Sequence, residues 1–262
     1  MEENNTFIEL GTLIIAIIAL VQPWVLYIYK KYLKRGKVVF FETGNIEIGF
    51  SNYASTIGIS GTLRSLNKDF FISKISLELT KDKDSSKHNF DWSIFRDTKI
   101  SLVGDGQTHV ELPYGILLTT QSPQRLNIQF HDNQQQEDIR PIHEELANKW
   151  QVFLDENFPY EQRRLANNLD NDIYSVFEEF NKTMDITEAY AKFNRNFYWD
   201  AGTYSINLKI QTSQPNKIFS KNYKFSLNEE QCKNLRLNVI TLNDHACGQT
   251  RYNWNFAFAN FN

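Results

Sequence analysis

The sequence predicts a single N-terminal transmembrane helix followed by an α+β soluble domain, an antiparallel β-sandwich with a helical insertion. Three observations carry that reading. An uncharged, mostly apolar run of twenty residues extends from Leu10 to Tyr29. Segments alternating apolar and polar residues then follow one another from Lys37 to His131. Over residues 134–200 the apolar period lengthens to three or four, and alternation returns over 201–262.

A helix of twenty residues is about 30 Å long, the hydrocarbon thickness of a bilayer. A cleavable signal opens with a basic segment, but here the acidic "MEENNTFIE" comes first and the basic cluster follows, so no cleavage is expected. Lys30, Lys31, Lys34 and Arg35 lie directly after the run. Basic residues beside a span stay on the cytoplasmic side. Residues 1–9 are therefore expected as an extracytoplasmic tail, 10–29 as the span and 30–37 as a basic juxtamembrane segment. Residues 38–262 would lie in the cytoplasm, under the inner (plasma) membrane.

Trp24, Tyr27 and Tyr29 gather at the same end, where amphipathic rings favour the interface. The basic residues there suit anionic lipid headgroups. Within the span, Pro23 removes a hydrogen-bond donor and is expected to kink the helix or loosen a carbonyl near Ala19. The Gln22 amide needs a partner in hydrocarbon, either the freed backbone or another copy of the helix.

Net charge is uneven. Residues 1–37 hold three acids and five bases, whereas the remainder holds 28 acids and 23 bases. A mildly acidic soluble part excludes a broad electrostatic footprint for duplex nucleic acid. The two cysteines, Cys232 and Cys247, are fifteen residues apart and match no metal-binding spacing; they read as reduced thiols of a reducing compartment.

Over 38–133, "KVVFFETGNIEIGF", "STIGISGTLRSL", "DFFISKISLELTKDKD", "HNFDWSIF", "KISLV", "HVELPYGILL" and "RLNIQFHD" read as strands separated by turns such as "GDGQ" and "TTQSP". Such a series is immunoglobulin-like in outline, without the Cys…Trp…Cys hallmark of true immunoglobulin domains. In 134–200, Ile139, Ile142, Leu146, Trp150 and Phe153 mark one helix, with Pro141 near its start. Leu165, Leu169, Ile173, Phe177 and Phe180 mark a second. A third opens at Asp185, capped with Glu188, and buries Tyr190, Phe193 and Phe197. "GTYSINLKIQT" and "KIFSKNYKFSL" form a hairpin around "SQPN". Ser226 and Glu229 suggest a capping box opening a helix toward Asn243. Trp254, Phe256 and Phe258 share one face of a last strand, which completes the sheet or pairs with a partner's edge.

No catalytic motif emerges. "HEELA" at His143 has Ala147 where a zincin needs its second histidine. In "FHD", His131 and Asp132 should point to opposite faces of a strand and form no dyad. Glu144–Glu145 and Glu178–Glu179 read as solvated helix faces. No phosphate-binding glycine loop or nucleophile elbow is present, and no cofactor or metal is expected.

The resulting expectation is a membrane-anchored, non-enzymatic binding or assembly protein. Its partners would be membrane lipid, a protein partner or further copies of itself, and a small ligand held between sandwich and helices. In outline it resembles the membrane effectors of prokaryotic antiviral defence, which pair a short span with a cytosolic sensing domain. Two alternatives stay open: a membrane-tethered, hydrolase-like enzyme built from dispersed carboxylates and histidines, and an exported adhesion module of inverted topology.

Overall fold

In a computed structural model describing residues 2–29, 35–99, 107–165, 169–249 and 253–261, the apolar run belongs to helix α1 (Glu2–Ile28). The helix begins eight residues earlier than the expected span and continues through Pro23. Its stretch Gly11–Ile28 is long and apolar enough to cross a membrane and buries none of its residues against the soluble domain.

Ten strands follow among the described residues, and the expected strand "KISLV" lies largely outside them: β1 (Lys37–Ser51), β2 (Ala54–Leu66), β3 (Phe70–Lys81), β4 (Lys87–Lys99), β5 (Gln107–Glu111), β6 (Ile116–Leu118), β7 (Gln124–His131), β8 (Gly202–Gln214), β9 (Asn216–Leu227) and β10 (Phe256–Ala259). They build one antiparallel sheet in the order β10-β1-β2-β7-β4-β3-β8-β9, with β5 paired to β4 and β6 to β3. The expected sandwich of two packed sheets gives way to this single sheet, curled into an open half-barrel. The physical reason lies in the long strands and their irregularities. Register shifts between Thr43 and Glu47, within Phe71–Lys74 and between Trp92 and Ile94 bend the ribbon and add to its natural twist. The inner face then meets itself. Phe40, Ile59, Ile75, Ile128, Phe130 and Leu208 surround one apolar interior. Lys221 on β9 reaches the Phe40 carbonyl (3.1 Å) and Glu42 (2.5 Å) on β1, bridging strands that do not pair.

Between β7 and β8 stand four helices among the described residues, α2 (Asn133–Asn157), α3 (Tyr160–Leu165), α4 (Leu169–Phe180) and α5 (Met184–Asn196). Asp132 caps α2 by accepting from the Gln135 N–H at 3.1 Å. The helix starts early enough that Pro141 lies inside it, not near its start. Proline there costs the Glu137 carbonyl its helical partner, a cost eased because Glu137 is exposed to water. Trp150 packs against Phe177 and Phe180 with ring centroids 5.7 and 5.4 Å away. The third helix is preceded by Thr183 without a side-chain cap; Asp185 pairs instead with Lys149 at 2.9 Å. Phe193 and Phe197 are buried as expected, whereas Tyr190 is exposed.

After the β8–β9 hairpin come α6 (Glu229–Arg236) and α7 (Asn238–Ala246). The capping box is Asn228 with Gln231, two residues beyond the expected pair, because Ser226 is still in β9 and faces Thr203. All these helices gather at one end of the half-barrel, beside the β1–β2 turn and the close of β7. Gln135 Oε1 accepts from the Ser55 N–H (2.7 Å), and Asn238 donates to the Phe50 carbonyl (2.8 Å). The chain enters the sheet at the opposite end, at Lys37.

Candidate functional site

A sizeable cavity lies away from the helices. It is a groove of about 630 Å³ on the sheet's outer face, continuous through Thr43, Ser60, Arg96 and Asn127 with a second hollow of about 550 Å³. The β1 irregularity makes one wall. Gly44 adopts φ +74°, a left-handed conformation that glycine enters without strain. Pairing then resumes at Glu47↔Gly58, which aims Glu47 at the groove. The other wall belongs to β4, β5 and the chain after β5, with Phe95, Arg96, Glu111 and Tyr114. Thr62, Arg125 and Asn127 complete the floor.

Arg96 spans the groove to donate to Glu47, Nη2 to Oε1, at 2.7 Å. This crossing requires glycine at 58, since a Cβ there would stand 2.9 Å from Arg96 Nη2. The same guanidinium acts on His131, which burial and the nearby positive charge together push down to about 4. Tyr114 is raised above the usual phenol range by partial burial and by neighbouring Glu111. The groove therefore offers hydroxyls, an amide, one internally paired guanidinium and a second, exposed one at Arg125. That set can hydrogen-bond a polar ligand in several directions. Among the described residues its lining includes no cysteine and no serine–histidine pair.

Two histidine clusters lie nearer the helices. Tyr198 donates to Asp132 Oδ2 at 3.1 Å, and His88 Nδ1 stands 3.5 Å from the same oxygen while its ring stacks on Tyr198 at 3.8 Å. His131 instead stacks on Tyr53 (5.2 Å), so "FHD" does divide its two groups between different surroundings. His143 Nε2 and His245 Nδ1 meet at 2.8 Å between α2 and α7, both lowered in pKa by burial. Among the described residues no group of three or more histidine, cysteine, aspartate or glutamate side chains is arranged to hold a metal ion. Cys232 and Cys247 are free, buried thiols, pushed up by burial to about 11 and about 12.

The residues singled out from sequence fall elsewhere. Gln22, Pro23, Trp24, Tyr27 and Tyr29 are all exposed along α1 and its last turn. Lys30, Lys31 and Lys34 lie outside the described residues; Arg35 is exposed, and its carbonyl accepts from Asn67 at 3.0 Å. Strand β10 pairs with β1 from Ile46↔Ala259 to Gly49↔Phe256 and forms one edge of the sheet. Phe256 and Phe258 face outward, Trp254 stands 5.9 Å from His245, and Ala257 and Ala259 face the core. Gln231 donates to the Phe258 carbonyl at 2.8 Å, so α6 occupies part of that edge.

Sequence reasoning missed Arg96, Glu47, Arg125, Asn127 and Tyr114. The one available signal was Gly58 inside an alternating strand, a mark of close approach. What approaches it comes from 38 residues away, and no local spacing encodes that. No family model matches the chain, and neither curated proteins nor solved structures give a match.

Proposed function

We propose that this chain is a membrane-anchored, non-enzymatic binding protein whose soluble domain faces the cytoplasm and takes a polar ligand of low net charge in the Arg96 groove. The observation that carries the reading is the groove itself. Its volume of about 630 Å³ falls within the ordinary range for ligand sites, and its polar groups converge from β1, β2, β4 and β7. Arg96 and Arg125 are offset by Glu47 and Glu111, which disfavours a highly charged anion and favours a zwitterion or neutral hydrogen-bonding molecule. Anchoring by α1 concentrates that binding at the membrane. Assembly of several copies through α1 would make it an oligomeric membrane effector of the antiviral type; the support for that extension is architectural.

The test uses the full chain purified in mild detergent. Native mass spectrometry should find a bound small molecule, or a screen of polar metabolites should raise the melting temperature, and Arg125→Ala with Asn127→Ala should abolish either effect without altering the unliganded melt. Binding that survives this double variant removes the groove from the proposal. A reporter fused after Asn262 should be active only on the cytoplasmic side.

A further inference from the structure

Resting on the anchor reading of α1, we infer that the end of the half-barrel opposite the helices lies against the headgroup layer of an anionic membrane, as a second contact beyond the span.

The argument begins with topology. Strand ends define the two ends of the half-barrel. The rungs Lys37↔Leu66, Phe70↔Leu118 and Ser213↔Asn216 mark one end. Ser51↔Ala54, Thr56↔His131 and Gly202↔Leu227 mark the other, where the helices pack. The chain leaves α1 at Tyr29 and is in the first end by Arg35, where Asn67 of the β2–β3 turn holds the Arg35 carbonyl. Six residue steps span at most about 21 Å, so this end cannot move far from the membrane surface.

Its composition fits that location. Phe71 and Leu117 are register partners on the outer face, 39% and 60% exposed, and Ile218 near the start of β9 is 65% exposed. Aromatic and aliphatic groups in such a position suit the interfacial layer. Charge agrees. The segments 35–41, 62–71, 117–125 and 212–219 together contain six bases, among them Arg64, Lys68 and Lys217, and a single acid, Asp69. Residues 134–200 at the far end contain fourteen acids and seven bases, a net of −7. The whole chain has 31 acids and 28 bases, so everything outside that insertion holds 17 acids and 21 bases, a net of +4. A negatively charged leaflet attracts the basic rim and repels the acidic helices, and both forces set the same orientation. The pull acts within a Debye length, about 8 Å at physiological salt, which the short tether makes accessible.

The experiment reconstitutes the full chain in nanodiscs of neutral lipid or of neutral lipid mixed with phosphatidylglycerol. Single cysteines at Leu117 and Ile218, with one at Val152 on α2 as the distant control, carry an environment-sensitive fluorophore; the native thiols are buried. Lipids bearing a shallow nitroxide should quench the two rim positions and spare position 152, more strongly in anionic discs. The charge-reversed variant Arg64→Glu, Lys68→Glu, Lys217→Glu should lose that quenching while remaining in the discs. Unquenched rim labels on a chain that resists carbonate extraction overturn the rim contact and leave the anchor standing. A chain released by carbonate overturns both. Equal quenching in neutral and anionic discs overturns the electrostatic basis, and rim labels shielded only in a species of doubled mass assign the surface to a second copy instead.

Discussion

The carboxylate of Asp132 joins two ends of chain 66 residues apart: Oδ1 caps α2 through the Gln135 N–H, and Oδ2 accepts from the Tyr198 hydroxyl at 3.1 Å. The residue closes β7, opens the helical insertion and fastens the segment where the insertion returns to β8. Burial of the Tyr198 phenol, with the Asp132 charge beside it, holds that hydroxyl well above the usual range. Tyr198→Phe should cost about 1–2 kcal/mol, since only one hydrogen bond to a charged acceptor is lost. Asp132→Ala should cost about 2–4 kcal/mol, because it also removes the cap and strands the phenol. Urea unfolding of the detergent-solubilised chain, with an unchanged slope, measures both.

Gly58→Ala separates the groove from the fold. The added methyl meets the flexible tip of Arg96 at 2.9 Å and Glu47 Cβ, which the backbone fixes, at 3.1 Å, so the first contact is relieved by a rotamer change and the second by a small backbone adjustment. Stability should change by no more than about 1 kcal/mol, with the strand's gain over glycine offsetting part of the clash. Ligand retention should fall, because the guanidinium must leave its position over β2. A melt paired with native mass spectrometry reads the two effects independently.

Acid should destabilise the domain before its carboxylates titrate. The folded His131 protonates at about 4, against 6.5 for the ordinary side chain. Between those values the unfolded chain binds a proton that the folded one refuses, so stability is full above pH 6.5, falls as pH drops, and levels off near 4. The contribution is on the order of 3 kcal/mol. His143 and His245, also lowered, add to the loss with the same sign. His131→Phe should flatten the pH dependence of the unfolding midpoint across this window, and an undiminished slope would assign it elsewhere.

Gln22 is exposed on α1, whose stretch Gly11–Ile28 is unburied among the described residues. In a bilayer its amide is best satisfied by another helix, at about 1–2 kcal/mol for each interhelical bond. Gln22→Leu should therefore shift crosslinked or native-mass distributions toward monomer. An unchanged oligomer distribution would leave the amide to the carbonyl loosened by Pro23.

Legibility follows the range of the interactions. The β8–β9 hairpin and the helical insertion were readable because alternation and the 3.6-residue period are properties of a few consecutive residues. The capping box of α6 was displaced by two residues, to Asn228, because several Ser, Asn and Glu side chains near the boundary compete for the same role, while α5 begins after Thr183 with no side-chain cap. Arg96 was illegible: "SIFRDTK" gives no hint that its partner three strands away in the sheet, Glu47, lies 49 residues earlier.

By itself the sequence determined an apolar N-terminal helix, the alternation of strands with a helical block, and the concentration of acid in that block. Each depends on composition or short spacing, which survives without knowledge of the fold. Only the tertiary structure decided that the strands form one curled sheet instead of two packed ones, because bulges and accumulated twist act across many strands at once. It also decided where the groove lies and which end of the half-barrel is basic, since both arise when residues distant in sequence are brought to one side of the sheet.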